Sequence, residues 1–285
     1  MKCLITGSSG FIGRNLAEQL PYDIVTLDKV GSPDHKMNMA SDFFYKLPKV
    51  DCIIHCAADP AVLSGVDNPQ EMFNNNITAT MNCLEYARRC SAVFIYLSSS
   101  RVYEHDGIRS FYGATKLCSE HLITEYADMF KIKTVINRFG LVSGKYQDGN
   151  INQGVVCYWI KQHLNNGKLD YIGFGGKGDQ IRDALHVDDL CELIKYEVNN
   201  IDKVNNKTFD AGGGIFNSFT LADLTLRIQQ ITGKYIKIGS IPETRIGDVF
   251  DYITNNEYVT KTTGWKPKKS FHNILCDVTK WLQEG

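Results

Sequence analysis

The sequence predicts an α/β protein, a doubly wound parallel sheet with a smaller C-terminal α/β lobe. Three observations predict it. Short β-branched runs alternate with longer amphipathic stretches through the first half, the pattern of parallel strands joined by crossover helices. A glycine-rich turn, Gly7-Ser8-Ser9-Gly10-Phe11-Ile12-Gly13, separates the first such run from the first such stretch. After about Gly144 this regularity is lost, and clusters such as Gly173-Phe174-Gly175-Gly176 and Gly212-Gly213-Gly214 divide shorter segments. Residues 1–144 are therefore expected to form one lobe, completed by return segments from the second half, and residues 145–285 the other.

In chain order, strands are expected over 2–6, 24–27, 51–55, 93–97 and 134–137, each bounded by turn residues or by the start of a helix. Helices are expected over 11–20, 70–89 and 112–130, where apolar residues recur at helical spacing. The stretch between Asp28 and Asp51 is too short for a full strand-helix unit, so a short strand over 36–39 and one turn over 41–47 are expected there. In such a sheet ligands lie outside the carboxyl ends of the strands, so residues that follow strands should face the second lobe across a cleft.

Composition narrows the function. With 43% hydrophobic and 22% charged residues and a formal net charge of -1, the 285-residue chain offers no electrostatic case for nucleic acid or membrane surfaces. Its nine cysteines are scattered singly, several inside apolar runs, without C-x-x-C and without clustering with histidine, and read as reduced core thiols rather than metal ligands. The first strand begins almost at Met1, leaving no room for a signal peptide, and no apolar run approaches the ~20 residues of a membrane span. A cytoplasmic location is expected.

The glycine turn sits between a strand and a helix, where a pyrophosphate can approach the backbone amides of Gly7, Gly10, Phe11, Ile12 and Gly13 and the helix N-terminus. Its spacing is G-x-x-G-x-x-G rather than the general Rossmann G-x-G-x-x-G. Asp28 ends the second strand, 15 residues past Gly13, where a carboxylate accepts hydrogen bonds from both adenosine ribose hydroxyls and repels a 2'-phosphate. This favours NAD over NADP, although the adjacent Lys29 softens the repulsion.

Tyr112 and Lys116 are one helical turn apart on one face. The pair alone is weak, since Tyr45 and Lys49 share the spacing with Pro48 interrupting any helix. Position decides between them. Strand 93–97 ends in Ser98-Ser99-Ser100 at the expected cofactor edge, so hydroxyl, phenol and ammonium can converge. Such a set suits hydride chemistry: a base takes a hydroxyl proton while hydride leaves the same carbon for a nicotinamide. Lys116 and the positive ring are expected to lower the Tyr112 pKa, and Ser99 to hydrogen-bond the reacting oxygen.

With these residues in place the chain resembles the extended short-chain dehydrogenases, the NAD-dependent nucleotide-sugar epimerase/dehydratase family, from Met1 to about Leu282. His55-Cys56-Ala57-Ala58 is similar to the family's strand-end segment beside the cofactor, and Asn76 matches its cofactor-contacting asparagine. The resemblance further implies cofactor contacts for Asn38, Met39 and Ser98. In the second lobe, the segment from Gln180 to Leu190 resembles one whose arginine, here Arg182, binds the nucleotide diphosphate. Arg245 and Asp248 lie in a segment similar to the family's second diphosphate-binding stretch, with Arg245 expected opposite Arg182. Ser99, Ser100 and Gln153 complete the implied substrate contacts, Gln153 within Asn152-Gln153-Gly154, which with Val66-Asp67-Asn68-Pro69 points toward the epimerase branch. His186 and Asp188 are read as structural, Asp188 as a helix cap.

What the resemblance implies is an epimerase working through a transient keto-sugar with regenerated NAD, and a homodimer formed by helices 70–89 and 112–130. The alternatives are a 4,6-dehydratase, a keto-sugar reductase and a non-catalytic NAD(P)-binding sensor. Dehydratases resemble Ser-Thr-Asp-Glu-Val-Tyr where this chain has Ser98-Ser99-Ser100-Arg101-Val102-Tyr103, and sensors tend to lose the tyrosine or lysine. Only eight residues separate Tyr103 from Tyr112, where the family has about twenty.

Overall fold

Strand side chains alternate between two faces, and here both faces are apolar, so the sheet must be covered on both sides. In the computed structural model, which describes residues 1–41, 47–103 and 110–284, seven parallel strands form that sheet. They are β1 (Lys2–Thr6), β2 (Asp23–Asp28), β3 (His35–Lys36), β4 (Cys52–His55), β5 (Val93–Ser99), β6 (Thr134–Phe139) and, from the second half of the chain, β10 (Lys207–Ala211). Their order is β10-β6-β5-β4-β1-β2-β3, with the reversal of winding between β1 and β4. Ligands of doubly wound sheets bind outside such a reversal. Smaller sheets follow: β7 (Leu141–Ser143), β9 (Ile181–His186) and β11 (Ser218–Thr220) in the order β11-β9-β7, and β8 (Leu169–Ile172) paired with β12 (Ile238–Ile241). β7 follows β6 after Gly140 alone, so the main sheet feeds directly into the second.

The helices are α1 (Phe11–Gln19), α2 (Ser64–Asp67), α3 (Pro69–Phe73), α4 (Ala79–Cys90), α5 (Phe111–Phe130), α6 (Val155–Leu164), α7 (Val187–Asn199), α8 (Ile201–Val204), α9 (Leu221–Thr232), α10 (Glu257–Thr263) and α11 (Phe271–Glu284). Cys3, Ile5, Cys52, Ile54, Ile95 and Leu97 face one side of the sheet, with Leu16 of α1 and Leu190 and Ile194 of α7. Leu4, Ile53, Phe94 and Tyr96 face the other, against Cys83 and Leu84 of α4 and Ile123 of α5. Each large side chain buried this way contributes about 1.5–3 kcal/mol. A third cluster, with Trp159, Phe219, Leu224, Phe271 and Ile274, holds the second lobe.

Three expectations are corrected. The helix expected over 70–89 is not regular: α3 and α4 are joined by a π-turn over Asn74–Thr78 that carries Asn76. The strand expected over 36–39 is only the two-residue β3, and Asn38 and Met39 follow it. Helix α7 is capped by His186, not Asp188: the His186 ring accepts the Asp188 N–H at 3.0 Å, because His186 has extended backbone and Asp188 is already helical. The turn expected over 41–47 lies largely outside the described residues, as does Tyr45. No helix among the described residues is long and apolar enough to cross a membrane.

Candidate active site

At the carboxyl edge of β1 the chain makes its glycine turn against the segment after β4. Gly7 has φ +66°, and a Cβ there would lie 2.8 Å from the Ala57 Cα; one on Gly13 would lie 2.2 Å from the Gly7 carbonyl oxygen. The turn therefore needs both glycines to let two backbones meet. Helix α1 starts at Phe11 with Gly10 as its N-cap and no side chain bonding its first amides. Those amides and the helix dipole suit an anion. Asp28, nearly buried, ends β2 beside the turn, and its carboxylate accepts the Ser9 N–H at 2.9 Å and the Val30 N–H at 3.1 Å. The glycine cradle, the open helix end and a carboxylate at the end of β2 fit a dinucleotide bearing a free ribose.

Other expected cofactor residues line up nearby, with their side chains engaged. Lys29 reaches Asn75 at 3.4 Å. Asn38 accepts the Ala40 N–H, and Met39 accepts from Asn82 through its carbonyl. Asn76, buried in the π-turn, donates to the Thr115 hydroxyl at 2.9 Å and the Asp59 carbonyl at 3.2 Å, and accepts the Asp59 N–H at 2.7 Å. It fastens the segment after β4 to α5. His55 bridges the Thr6 and Thr80 hydroxyls at 2.7 and 3.0 Å, and burial drives its pKa down to about 3, so it is a neutral spacer. Cys56, Ala57 and Ala58 follow it, and burial pushes the Cys56 thiol up to about 12.

Helix α5 begins with Ser110 as N-cap, its hydroxyl accepting the Gly113 N–H at 3.0 Å. Gly113 is needed there: a Cβ would lie 1.9 Å from the Arg101 carbonyl oxygen, so the strand-end turn rests directly on the helix. This contact places the end of β5, with Ser99, and Tyr112 on the same cavity, where the Ser99 hydroxyl accepts the Arg101 N–H at 3.2 Å. Lys116, 3% exposed, donates through Nζ to the Leu97 carbonyl at 2.8 Å and lies over the Tyr96 ring. Ser98, beside it, donates to Glu120 at 2.5 Å.

Burial raises the Tyr112 pKa to about 12, opposed by Ser99 and by the Arg101 charge, with Asp59 adding to the rise. The chain's own groups thus leave Tyr112 protonated, while the Lys116 ammonium donates to the Leu97 carbonyl. Burial likewise pulls Lys116 down to about 8.

A cavity of about 400 Å³ opens between the sheet edge and the second lobe. Its lining includes Ser99, Ser100, Tyr112, Gln153, Arg182, Arg245 and Asp248, so it brings together residues from distant parts of the sequence. Arg182 is tied to its own chain, donating to the Ile181, Phe250 and Val249 carbonyls and to Asp248 at 2.8 Å; Arg245 donates to the Ile151 carbonyl at 2.9 Å. Sequence reasoning missed Arg101. It lines the same cavity and donates to the Gly247 carbonyl at 2.7 Å, bridging the strand end to the segment opposite. The signal was its place directly after Ser100, read only for the acid it replaces.

Against known proteins, a family model described as the NAD dependent epimerase/dehydratase family matches residues 3–212. The CDP-paratose 2-epimerase of Salmonella typhi is 25% identical, with 99% of each chain covered. Among solved structures, the UDP-glucuronic acid 4-epimerase of Bacillus cereus, in complex with UDP-glucuronic acid and NAD, superposes with a TM-score of 0.86 at 25% identity, covering 100% of this chain and 99% of that one. A UDP-glucose 4-epimerase of Thermotoga maritima shares the fold at a TM-score of 0.89 and 22% identity, over 100% of this chain and 99% of that one.

Proposed function

We propose, from the premise that the chain belongs to the NAD dependent epimerase/dehydratase family, that it epimerises a nucleotide-diphosphate sugar through a transient keto-sugar. The observation that carries this reading is the strand end itself. Tyr112 and Ser99 line one cavity together, and Ser100 and Arg101, which line it too, stand where dehydratases resemble Asp-Glu. Elimination of water needs an acid and a base on the sugar; a hydroxyl and a guanidinium supply neither at neutral pH. The relatives' epimerase activities agree with it.

In this reading Gly7, Gly10, Phe11, Ile12 and Gly13 hold the pyrophosphate of NAD, and Asp28 its adenosine ribose. NAD bound there would supply the reversible hydride acceptor that the sugar carbon needs. Tyr112 takes the proton from that carbon's hydroxyl and gives it back, Ser99 holds the reacting oxygen, and Lys116 supplies the positive charge that favours the phenolate. Arg182 and Arg245 hold the diphosphate from the second lobe, where guanidiniums match phosphate oxygens. Residues 1–144 then act as the NAD lobe and 145–285 as the sugar lobe.

The Tyr112→Phe variant tests the reading: turnover of the productive nucleotide-sugar should fall roughly 10²- to 10⁴-fold while NAD still binds. Unchanged turnover would sink it. Epimer should form without added cofactor, and net NADH accumulation would favour a reductase. We further propose a cytoplasmic homodimer through α4 and α5, supported by Phe111, Met129 and Phe130, which stay exposed on α5; sedimentation measures it.

A further inference from the structure

Helix α5 carries three ionisable side chains one turn apart on one face, Tyr112, Lys116 and Glu120, and the proposed reaction uses only the first two. Glu120 is nonetheless buried and firmly held. Its carboxylate accepts from Ser98 at 2.5 Å and from the Arg138 guanidinium at 3.0 Å (Nε) and 2.6 Å (Nη2). Arg138, on β6, also donates to the Tyr103 hydroxyl at 2.7 Å, which donates in turn to Asp210 of β10 at 2.9 Å. One chain of hydrogen bonds thus runs from beside the Lys116 anchor across three adjacent strands.

We propose that Glu120, locked by Arg138, is a positioning residue of this active site that holds Lys116 in its ammonium form beneath Tyr112. The proposal rests on the reading of Tyr112 and Lys116 as the catalytic pair. Around Lys116 stand Cys56 and His55 at the end of β4, Tyr96 of β5 and, one turn away on its own helix, Tyr112 and Glu120; Glu120 is bonded to Ser98, the residue next to the Leu97 carbonyl that holds Lys116. Burial keeps the Cys56 thiol, the His55 ring and both phenols neutral near pH 7. Of these groups Glu120, ion-paired with Arg138, is the one that brings negative charge. Burial pulls the lysine down, and Cys56 and after it Glu120 work against that, the Cys56 thiol only where it ionises, well above neutral pH. Bracing of α5 on β6 accounts for the pair less well, since buried ion pairs add little net stability compared with apolar packing.

The test reads the lysine directly. In the full chain labelled with ¹³C at lysine Cε, the Lys116 resonance is assigned with Lys116→Met and its titration followed. Glu120→Gln should lower the Lys116 pKa by at least about one unit. Glu120→Gln/Arg138→Gln, which also removes the uncompensated cation, should recover part of that fall while staying below wild type. The alkaline limb of the turnover profile should move with these values, because a lysine that loses its proton earlier stops favouring the phenolate. An unmoved Lys116 in both variants overturns the proposal; if the single variant does not fold, the double variant decides alone. Activity retained by Tyr112→Phe would instead remove the catalytic reading while leaving the lysine titration to stand.

Discussion

Gly13→Ala sets two effects against each other. Gly13 is the third residue of α1, and on helix propensity alone alanine should stabilise it by about 1 kcal/mol. The added Cβ, however, would lie 2.2 Å from the Gly7 carbonyl oxygen and 2.8 Å from the Gly7 carbonyl carbon and the Ser8 Cα. Ordinary contact begins near 3.4 Å, so helix and turn must part by about 1 Å, and backbone atoms cannot rotate away. Overpacking of this kind costs about 1–3 kcal/mol, which meets or exceeds the propensity gain and leaves a net destabilisation of up to about 2 kcal/mol, a fall of up to roughly 8 °C in Tm. The same displacement pulls the α1 amides from the pyrophosphate. Losing one charge-assisted hydrogen bond, about 1.5–3 kcal/mol, weakens NAD roughly 10- to 100-fold. Thermal melts with and without NAD, with calorimetric titration of the cofactor, measure both. For the melts without NAD, Gly10→Ala is the control, since its Cβ would meet only the Gly7 oxygen, at 3.2 Å. A Gly13→Ala protein as stable as wild type, with the same rise in Tm on adding NAD, would refute the close-approach argument.

Other expectations follow from the buried ionisable groups and from Asp28. Lys116, lowered from 10.5 to about 8 by burial, binds its proton less well folded than unfolded, so it costs about 3 kcal/mol at neutral pH, and stability recovers as pH rises from 8 toward 10.5. Lys116→Met should therefore raise Tm at pH 7 while abolishing turnover, and a lower Tm would contradict this. Glu197 on α7, bonded to Asn137 at 2.8 Å, is raised by burial to about 8. Its folded state keeps a proton that the unfolded chain releases near pH 4.5, so stability falls between pH 4.5 and 8 by a few kcal/mol. Denaturant melts should find Glu197→Gln more stable than wild type at pH 8 and little different at pH 4.5. Asp28→Asn should weaken NAD and narrow its advantage over NADP in binding titrations, because one negative charge facing the 2'-position is gone.

The features legible in the sequence were those with a local cause. The glycine turn, the central strands and the Tyr112–Lys116 spacing follow from turn chemistry and from periods of 2 and 3.6 residues. The π-turn at Asn74–Thr78 was not legible, since one inserted residue barely disturbs an apolar stripe that continues on either side. The choice between His186 and Asp188 as cap depends on backbone angles that two adjacent polar residues do not reveal. Glu120 stood in plain view one turn after Lys116, but its meaning lies in Arg138 on another strand, a tertiary contact. The raised phenol of Tyr112 likewise reflects how completely the folded chain buries it, which residue spacing does not report.

The pairing of β10 with β6, Val135 opposite Lys207, has a consequence during synthesis. Strand β6 leaves the ribosome about 70 residues before the strand that covers its outer edge. At bacterial or eukaryotic elongation rates that is an interval of roughly 4–14 s in which a row of backbone amides and carbonyls stands open to any passing strand. Until β10 arrives the nascent first half therefore keeps an open sheet edge, and a chain broken between residues 140 and 206 should precipitate rather than persist as a free nucleotide-binding fragment.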